Sequence, residues 1–298
     1  MISGDLREWT AVIAECAPGA SVRGVRRLGG GLSAETFSVD TTDGTVVVKR
    51  YPRRRTDTAR FEWERLRFVQ RVDAPVPRPL ALDTEGRWFG IPALAMSHLA
   101  GRPNVRPGDV EKWLQQLAHA LAAIHSTDTA GAAGPLLQPS AAETWKPPKL
   151  RRPSELTDRA VATIQRHLPR MSWQPVLLHG DFHPGNTLWN GDRLTGIADW
   201  NQARLGPAAY ELAYCRADVA LLVDRAAADR LTDHYAAITG APPANLPVFD
   251  LICGLEALRS AARMRTAYRQ QGRTDSPQQF TVRAASFLHD TLPEMGER

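Results

Sequence analysis

The chain has 298 residues, of which 43% are hydrophobic and 23% are charged, a composition typical of a globular protein with a sizeable core. It has no run of about 18 apolar residues and no basic-then-apolar leader at its start, so we expect a cytoplasmic protein without a membrane partner. The formal net charge of +5 is spread out, and residues 201–298 contain eleven Arg against eleven acidic residues, so we expect no nucleic-acid partner.

The first hundred residues predict a small β-rich region with one main helix. Strands are predicted over 22–28 and 35–39, joined by the run Gly29-Gly30-Gly31-Leu32-Ser33-Ala34. Glycines at such a hairpin let backbone N–H groups approach phosphate oxygens, although any tight hairpin also uses glycine. A third strand follows the Asp43-Gly44 turn and ends at Lys49. A helix is predicted over 57–71, with Asp57 as its N-cap.

Lysine is rare in this chain, and the position of Lys49 is therefore informative. Only Lys49, Lys112, Lys146 and Lys149 are lysine among 37 basic residues. The end of such a strand is where a kinase lysine reaches the α- and β-phosphates of the nucleotide, the alternative being a surface strand lysine. Glu62 and Glu64 on the following helix are the two candidates to pair with it.

The remaining elements predict a mostly helical second region. A buried strand over 91–96 leads into the connector Ser97-His98-Leu99-Ala100-Gly101, and a helix follows over about 107–125. His125 at the end of that helix is expected to make structural hydrogen bonds. Residues 126–152 predict a loop that either contacts a substrate or serves as a surface linker. Four further helices are predicted over 207–222, 224–238, 247–270 and 276–291.

The most specific signal is the run His179-Gly180-Asp181-Phe182-His183-Pro184-Gly185-Asn186, between strands predicted over 175–178 and 194–198. With Asp199 after the second strand, it matches the catalytic loop of kinase-type phosphotransferases. Asp181 would accept the proton of the substrate hydroxyl, and the oxygens of Asn186 and Asp199 would bind Mg²⁺. Taken singly, a loop Asp or Asn more often caps a helix or makes a turn.

The same run resembles the aminoglycoside phosphotransferase family, which includes antibiotic kinases and kinases of choline and homoserine. The resemblance extends to Ile197-Ala198-Asp199-Trp200, Gly206-Pro207 and Tyr210-Glu211-Leu212. The resemblance covers about residues 20–290, and it departs from the family at Glu211, where Asp is frequent. It implies an α+β, two-lobe, protein-kinase-like fold. The expected division is an N-terminal nucleotide-binding lobe at 1–96, a hinge at 97–101 and a mostly helical catalytic lobe at 102–298.

The resemblance also implies site residues. ATP, with GTP as the alternative, would be bound by Gly30, Gly31, Leu32, Ser33, Lys49, Glu62, Ser97 and Leu99. Glu62 is favoured over Glu64 because its distance from Pro75-Val76-Pro77 matches the family. Ser97 and Leu99 would bond the adenine through their backbones, and His183 would neutralise charge on the moving phosphoryl group. Asp181 would act as the base, with Mg²⁺ at Asn186 and Asp199.

The expected function is ATP-dependent O-phosphorylation of a small molecule, and an antibiotic is favoured because such enzymes are numerous in the family. The alternatives are a metabolic kinase for an amino alcohol or sugar, and an inactive kinase-like binding protein. The neutral C-terminal region shows no acidic cluster in sequence, which disfavours a strongly polycationic acceptor. Partners would be the nucleotide and the hydroxyl acceptor, and the protein would be a monomer or weak homodimer.

Overall fold

The computed structural model describes residues 6–28, 34–52, 56–140, 142–150 and 152–296. Gly30, Gly31, Leu32 and Ser33, which we expect to cover the phosphates, lie outside the described residues. The architecture is α+β, as predicted, with a sheet-rich N-terminal part and a mainly helical C-terminal part.

The N-terminal part is built on a five-stranded antiparallel sheet in the order β1-β2-β3-β5-β4. Its elements are α1 (Leu6–Cys16), β1 (Val22–Arg27), β2 (Glu35–Thr41), β3 (Gly44–Arg50), α2 (Thr56–Phe68), β4 (Pro79–Asp83) and β5 (Ala93–Ser97). Because helix α2 already begins at Thr56, Asp57 lies in its first turn, and the prediction that it caps the helix was wrong.

The alternation of side chains along β3 decides where Lys49 lies. Val46 and Val48 are buried in a cluster with Trp9 and Ile13 of α1. Successive strand residues point to opposite faces of a sheet. Lys49 therefore lies on the opposite face, on which helix α2 packs.

The C-terminal part consists of helices around two small sheets, β10-β7 and β6-β8-β9. Its strands are β6 (Arg102–Pro103), β7 (Pro175–Leu178), β8 (Thr187–Asn190), β9 (Arg193–Ile197) and β10 (Arg204–Pro207). Its helices are α3 (Val110–His125), α4 (Glu155–His167), α5 (Ala208–Leu222), α6 (Arg225–Thr239), α7 (Leu246–Gln270) and α8 (Pro277–Thr291).

Helix α3 anchors the core of this part. Its predicted stripe of apolar residues is fully buried, namely Leu114, Leu117, Leu121 and Ile124. The helix begins at Val110, three residues later than predicted, because the side chain of Asp109 caps it by accepting from the N–H of Lys112 at 3.0 Å. Among the described residues, no helix is long and apolar enough to cross a membrane.

Candidate active site

Ion pairs of the buried side chains of Lys49 and Glu62 with the half-buried Asp199 join the sheet, helix α2 and the loop after β9. The amino group of Lys49 lies 2.5 Å from Glu62 Oε1 and 2.8 Å from Asp199 Oδ1. The hydroxyl of Tyr51 donates to the other oxygen of Glu62 at 2.6 Å. The side chain of Glu62 is 1% exposed, whereas Glu64 is exposed. The structure thus places Glu62 beside Lys49.

The ion pair between Lys49 and Asp199 favours the charged form of both side chains. Burial alone would lower the pKa of Lys49, but the carboxylates of Glu62 and Asp199 raise it above its ordinary value. Burial would raise the pKa of Asp199, but Lys49 holds it below the ordinary value. At neutral pH the site therefore presents a fixed cation beside a fixed carboxylate.

Asp199 also has an unusual backbone. Its φ of 66° and ψ of 56° lie in the left-handed region, which costs a non-glycine residue of order 1 kcal/mol. A short helical turn at Trp200–Gln202 follows directly. The left-handed backbone of Asp199 leaves the carboxylate facing Lys49 instead of continuing the direction of the strand.

The loop after β7 is shaped by His179 and Gly180. Gly180 has φ +83°, and a Cβ there would lie 2.2 Å from the carbonyl oxygen of Gln202, so only glycine fits. His179 donates through Nε2 to the carbonyl of Ala198 at 2.8 Å and accepts at Nδ1 from the N–H of Asp181 at 3.2 Å. Burial lowers the pKa of His179 and favours this neutral form. The ring thereby fixes the loop beside the residue that precedes Asp199.

The carboxylate of Asp181 is oriented by two neighbours. It accepts from the hydroxyl of Tyr214 at 2.8 Å and from Asn186 Nδ2 at 3.2 Å. The carbonyl of Asn186 accepts from the N–H of Ala198 at 2.9 Å. The predicted residues Asp181, Asn186 and Asp199 thus belong to one connected group. Tyr214 was not predicted, since it lies on α5, 33 positions away from Asp181.

Glu211, the departure from the family pattern, supports the same loop. Its carboxylate accepts from the backbone N–H groups of His179 at 3.1 Å and Gly180 at 2.6 Å. It also lies 3.1 Å from Nε2 of His125, whose Nδ1 lies 2.9 Å from the hydroxyl of Tyr235. His125 thus makes the structural hydrogen bonds expected of it.

A second buried cluster lies behind His183. Nδ1 of His183 accepts from the N–H of Gly185 at 3.1 Å and lies 3.4 Å from a carboxylate oxygen of Asp218. The hydroxyl of Tyr268 donates to the same oxygen. Burial raises the pKa of Asp218 to about 6, against the lowering effects of His183 and Tyr268. No local sequence signal connects these three residues.

Arg65 ties helix α2 to the segment after Asp199. Its guanidinium donates to the carbonyls of Ala203 at 2.8 Å, Asn201 at 2.6 Å and Pro135 at 3.3 Å. Burial lowers the pKa of Arg65 to about 10. The helix that carries Glu62 is therefore fixed to the loop that carries Asp199.

The connector 97–101 lies against the β8–β9 hairpin. Leu99 packs on Gly196, where a Cβ would come within 2.9 Å of the leucine, and Thr195 Oγ1 donates to the carbonyl of Ala100 at 2.6 Å. The N–H of Ser97 donates to the carbonyl of Arg78 at 2.8 Å. In the described part of the chain, the N–H of Leu99 has no hydrogen-bond partner.

A cavity of about 380 Å³ opens beside Asp181. Three segments form its walls: part of the loop predicted over 126–152, the loops near Gly180 and Gln202, and one side of helices α5 and α7. The first segment contributes Ser140, Thr144, Trp145 and Lys146. Part of this loop therefore lines the cavity, and its contact with a substrate stays a prediction. Lys49, Glu62 and Asp199 do not line it.

Comparisons with known proteins identified a matching family model and similar homoserine kinases. A model of the phosphotransferase enzyme family matches residues 24–252. The homoserine kinase of Rhizobium meliloti (strain 1021) is 30% identical over 206 residues, 62% of this chain and 60% of that protein. The homoserine kinase of Methylobacterium radiotolerans is 25% identical over 251 residues, 77% of this chain and 76% of that protein. The match to the first of these relatives thus leaves about two fifths of its length uncovered.

Solved structures resemble the whole chain. The macrolide 2'-phosphotransferase of Brachybacterium faecium is 20% identical with a TM-score of 0.65, and the match covers 95% of this chain and 97% of that one. The aminoglycoside phosphotransferase APH(4)-Ia is 16% identical with a TM-score of 0.64, and the match covers 96% and 97%. At such identities the likeness shows the kinase-like fold alone.

Proposed function

Because this chain belongs to the phosphotransferase enzyme family, we propose that it transfers the γ-phosphoryl group of ATP, with GTP as the alternative donor, to a hydroxyl group of a small molecule. The observation that carries the proposal is the contact of Lys49 with both Glu62 and Asp199, at 2.5 and 2.8 Å. Phosphoryl transfer depends on positioning and charge neutralisation more than on covalent help from the protein. The ion pairs of Lys49 support the proposal because they hold a cation and a carboxylate side by side.

The donor set fits Mg²⁺. Asn186 and Asp199 offer amide and carboxylate oxygens, and Asp199 stays ionised because Lys49 lowers its pKa. Among the described residues no cluster of three or more His, Cys, Asp or Glu could hold a metal by itself. Mg²⁺ commonly uses one or two protein ligands together with substrate phosphates, so two oxygens suffice. When bound, Mg²⁺ would neutralise charge on the phosphates.

We propose the remaining roles from the family resemblance, together with the positions of the described residues. Lys49 would bind the α- and β-phosphates while Glu62 holds it in place, and the unmatched N–H of Leu99 together with the carbonyl of Ser97 would bond the adenine. Gly30, Gly31, Leu32 and Ser33 would cover the phosphates. We likewise propose the division into a nucleotide-binding lobe at 1–96, a hinge at 97–101 and a catalytic lobe at 102–298.

Asp181 would take the proton of the acceptor hydroxyl as that oxygen bonds to phosphorus and the bond to the ADP oxygen breaks. Tyr214 and Asn186 would hold its carboxylate in the direction of the acceptor. In the neutral form of His183 the proton sits on Nε2, because Nδ1 accepts from Gly185, and this N–H would stabilise charge on the moving group.

Two acceptor classes remain, an antibiotic and a metabolite. The curated relatives are homoserine kinases, which supports a metabolic alcohol. The structural relatives act on macrolides or aminoglycosides by name, but their low identity supports the fold only. We therefore propose the metabolic acceptor as the main function and an antibiotic as the second.

The variant Asp181→Asn tests the proposed function for either acceptor class. We expect loss of phosphoryl transfer to any confirmed acceptor with ATP and Mg²⁺, while calorimetry shows nucleotide affinity within a few-fold of the native protein. Native-level transfer by this variant would refute the assignment. Failure of the native protein to bind either ATP or GTP would instead support the inactive-scaffold alternative. Homoserine and a panel of hydroxylated antibiotics, followed by the mass gain of one phosphoryl group, separate the acceptor classes.

A further inference from the structure

The imidazole ring of His183 is held by the protein at one of its two nitrogens. Three groups surround Nδ1, namely the N–H of Gly185 at 3.1 Å, the hydroxyl of Tyr268 at 3.3 Å and a carboxylate oxygen of Asp218 at 3.4 Å. They come from the loop itself, from α7 and from α5. In the part of the chain that the structure describes, Nε2 of His183 has no hydrogen-bond partner. This second nitrogen is therefore available to a bound molecule.

The packing around His183 restricts the ring to one orientation. A Cβ at position 185 would lie 2.6 Å from Cε1 of the ring, so the imidazole lies directly against the backbone of Gly185. The rings of Tyr214 and Tyr268 stand edge-on to the imidazole, with centroids 6.3 and 6.2 Å away. Rotation of the imidazole would meet a tyrosine ring or the backbone at Gly185.

Asp218 is an expensive residue to place behind this ring. It is 4% exposed, and among the described residues no Lys or Arg forms an ion pair with it. Its carboxylate accepts from the hydroxyl of Tyr268, and burial raises its pKa to about 6. A buried carboxylate without a full cation costs free energy, which packing alone does not require. Side chains with such a cost, when they lie beside a cleft, are candidates for a role in the chemistry.

We propose that Asp218 and Tyr268 are positioning residues, which hold the ring of His183 so that its Nε2–H meets the phosphoryl group during transfer. The proposal rests on the phosphotransferase function proposed above and adds two residues to that site. A buried carboxylate behind an imidazole is an established way to fix the orientation of the ring. Both residues act through His183 and need no contact with the nucleotide.

The kinetic test uses ATP hydrolysis, in which water replaces the unidentified acceptor. Tyr268→Phe and Asp218→Leu remove the two polar groups with little change in size. Each should lower kcat about tenfold and change the KM for ATP by less than about twofold, because each acts only through His183. Asp218→Asn still offers hydrogen-bonding groups at the same place, so it should keep most of the native kcat.

Combination with His183→Asn separates positioning from general packing. In that background Tyr268→Phe should cause no further loss of kcat, because the ring that it positions is gone. Equal losses with and without His183 overturn the proposal, as does a native kcat in Tyr268→Phe or in His183→Asn. If Asp218→Leu fails to fold, Tyr268→Phe supplies the same test.

Nitrogen NMR of the eight histidine rings tests the positioning without turnover. The signals of His183, assigned by their loss in His183→Asn, should shift in Tyr268→Phe. Tyr235→Phe is the matched control, since it removes a buried hydroxyl 2.9 Å from His125 and should shift the His125 signals instead. Unchanged His183 signals in Tyr268→Phe overturn the proposal. If they shift but the native chain turns over no ATP, the phosphotransferase function fails while the support of the ring stands.

Discussion

The amino group of Lys49 lies 2.8 Å from a carboxylate oxygen of Asp199, although 150 positions separate the two residues in the chain. The same amino group lies 2.5 Å from Glu62 on helix α2. One side chain thus joins a strand, a helix and the loop that would bind the metal. The positions of the proposed phosphate-binding and metal-binding groups therefore depend on each other.

Lys49→Met should reduce phosphoryl transfer by about two orders of magnitude, because a preorganised charge is lost. It should also lower the free energy of unfolding by about 3 kcal/mol, since two carboxylates lose their cation. Steady-state kinetics and urea unfolding measure the two effects. Lys112→Met is the control, as its amino group is exposed and 3.9 Å from Asp192. Unchanged kinetics in Lys49→Met would contradict the proposed role.

Tyr214→Phe should lower kcat about tenfold, the effect of one hydrogen bond to a charged group, with little change in the KM for ATP. The reason is that Tyr214 contacts the carboxylate of Asp181 and no proposed nucleotide-binding residue. Tyr210→Phe provides the comparison, because its side chain lines the same cavity and its hydroxyl has no bonded partner in the described segments. Equal losses in both variants would argue against an orienting role for Tyr214.

Asp218→Asn should flatten the pH dependence of stability between about pH 4 and 6. Burial raises the folded-state pKa of Asp218 from 3.8 to about 6, so in this interval the folded state holds a proton that the unfolded state has released. Stability contributed by this group therefore falls as pH rises through the interval and stays reduced above it. Thermal unfolding across pH measures the slope. Asp233→Asn, at an exposed position, should leave the slope as it is.

Gly180→Ala should prevent native packing of the catalytic loop and abolish activity. The new Cβ would lie 2.2 Å from the carbonyl oxygen of Gln202, in a backbone with φ +83°. Gly191→Ala separates backbone strain from this collision, because φ is +57° there and nothing lies within 4 Å. That variant should lose only about 1 kcal/mol and keep its activity. An active Gly180→Ala protein would show that the loop can relax.

Arg65→Met should lower the free energy of unfolding by about 3 kcal/mol, because several buried carbonyls lose their donor. The KM for ATP should rise as well, since Glu62 lies one turn away on the same helix and its position depends on this anchor. Urea unfolding and ATP kinetics test the two effects. Arg67→Met, exposed on α2, should change neither by more than a small amount. A stable Arg65→Met protein with a native KM would contradict the anchoring role.

Elements with strong local signals were predicted well. The strand over 175–178 is β7 without correction, and the four C-terminal helices differ from the prediction by at most one residue at each end. Helices α1 and α4 were not predicted. Helix α1 has only three buried residues, and the capping box of α4 pairs Ser154 with Thr157 in place of the usual acid or glutamine.

The motif from His179 to Asn186 could be recognised because its residues are neighbours in the sequence. The residues that hold this loop in place are distant from it in the sequence. Tyr214, Asp218, Tyr268 and Arg65 reach the site from helices, by contacts across 33 to 138 positions. Arg259 and Arg263, which are exposed on helix α7, also line the cavity. Contacts between residues so far apart in the sequence depend on how the helices pack, and no local sequence pattern predicts that packing.

The position of the cavity walls in the sequence bears on how this protein can evolve. Ser140, residues 144–146 and the stretch of α7 from Ile252 to Met264 line the space beside Asp181. Neither segment contains a residue of the loop from His179 to Asn186. Mutations can therefore accumulate in these walls without altering the loop from His179 to Asn186. A duplicated gene with this architecture can change the shape of the cavity by altering a loop and one helix face.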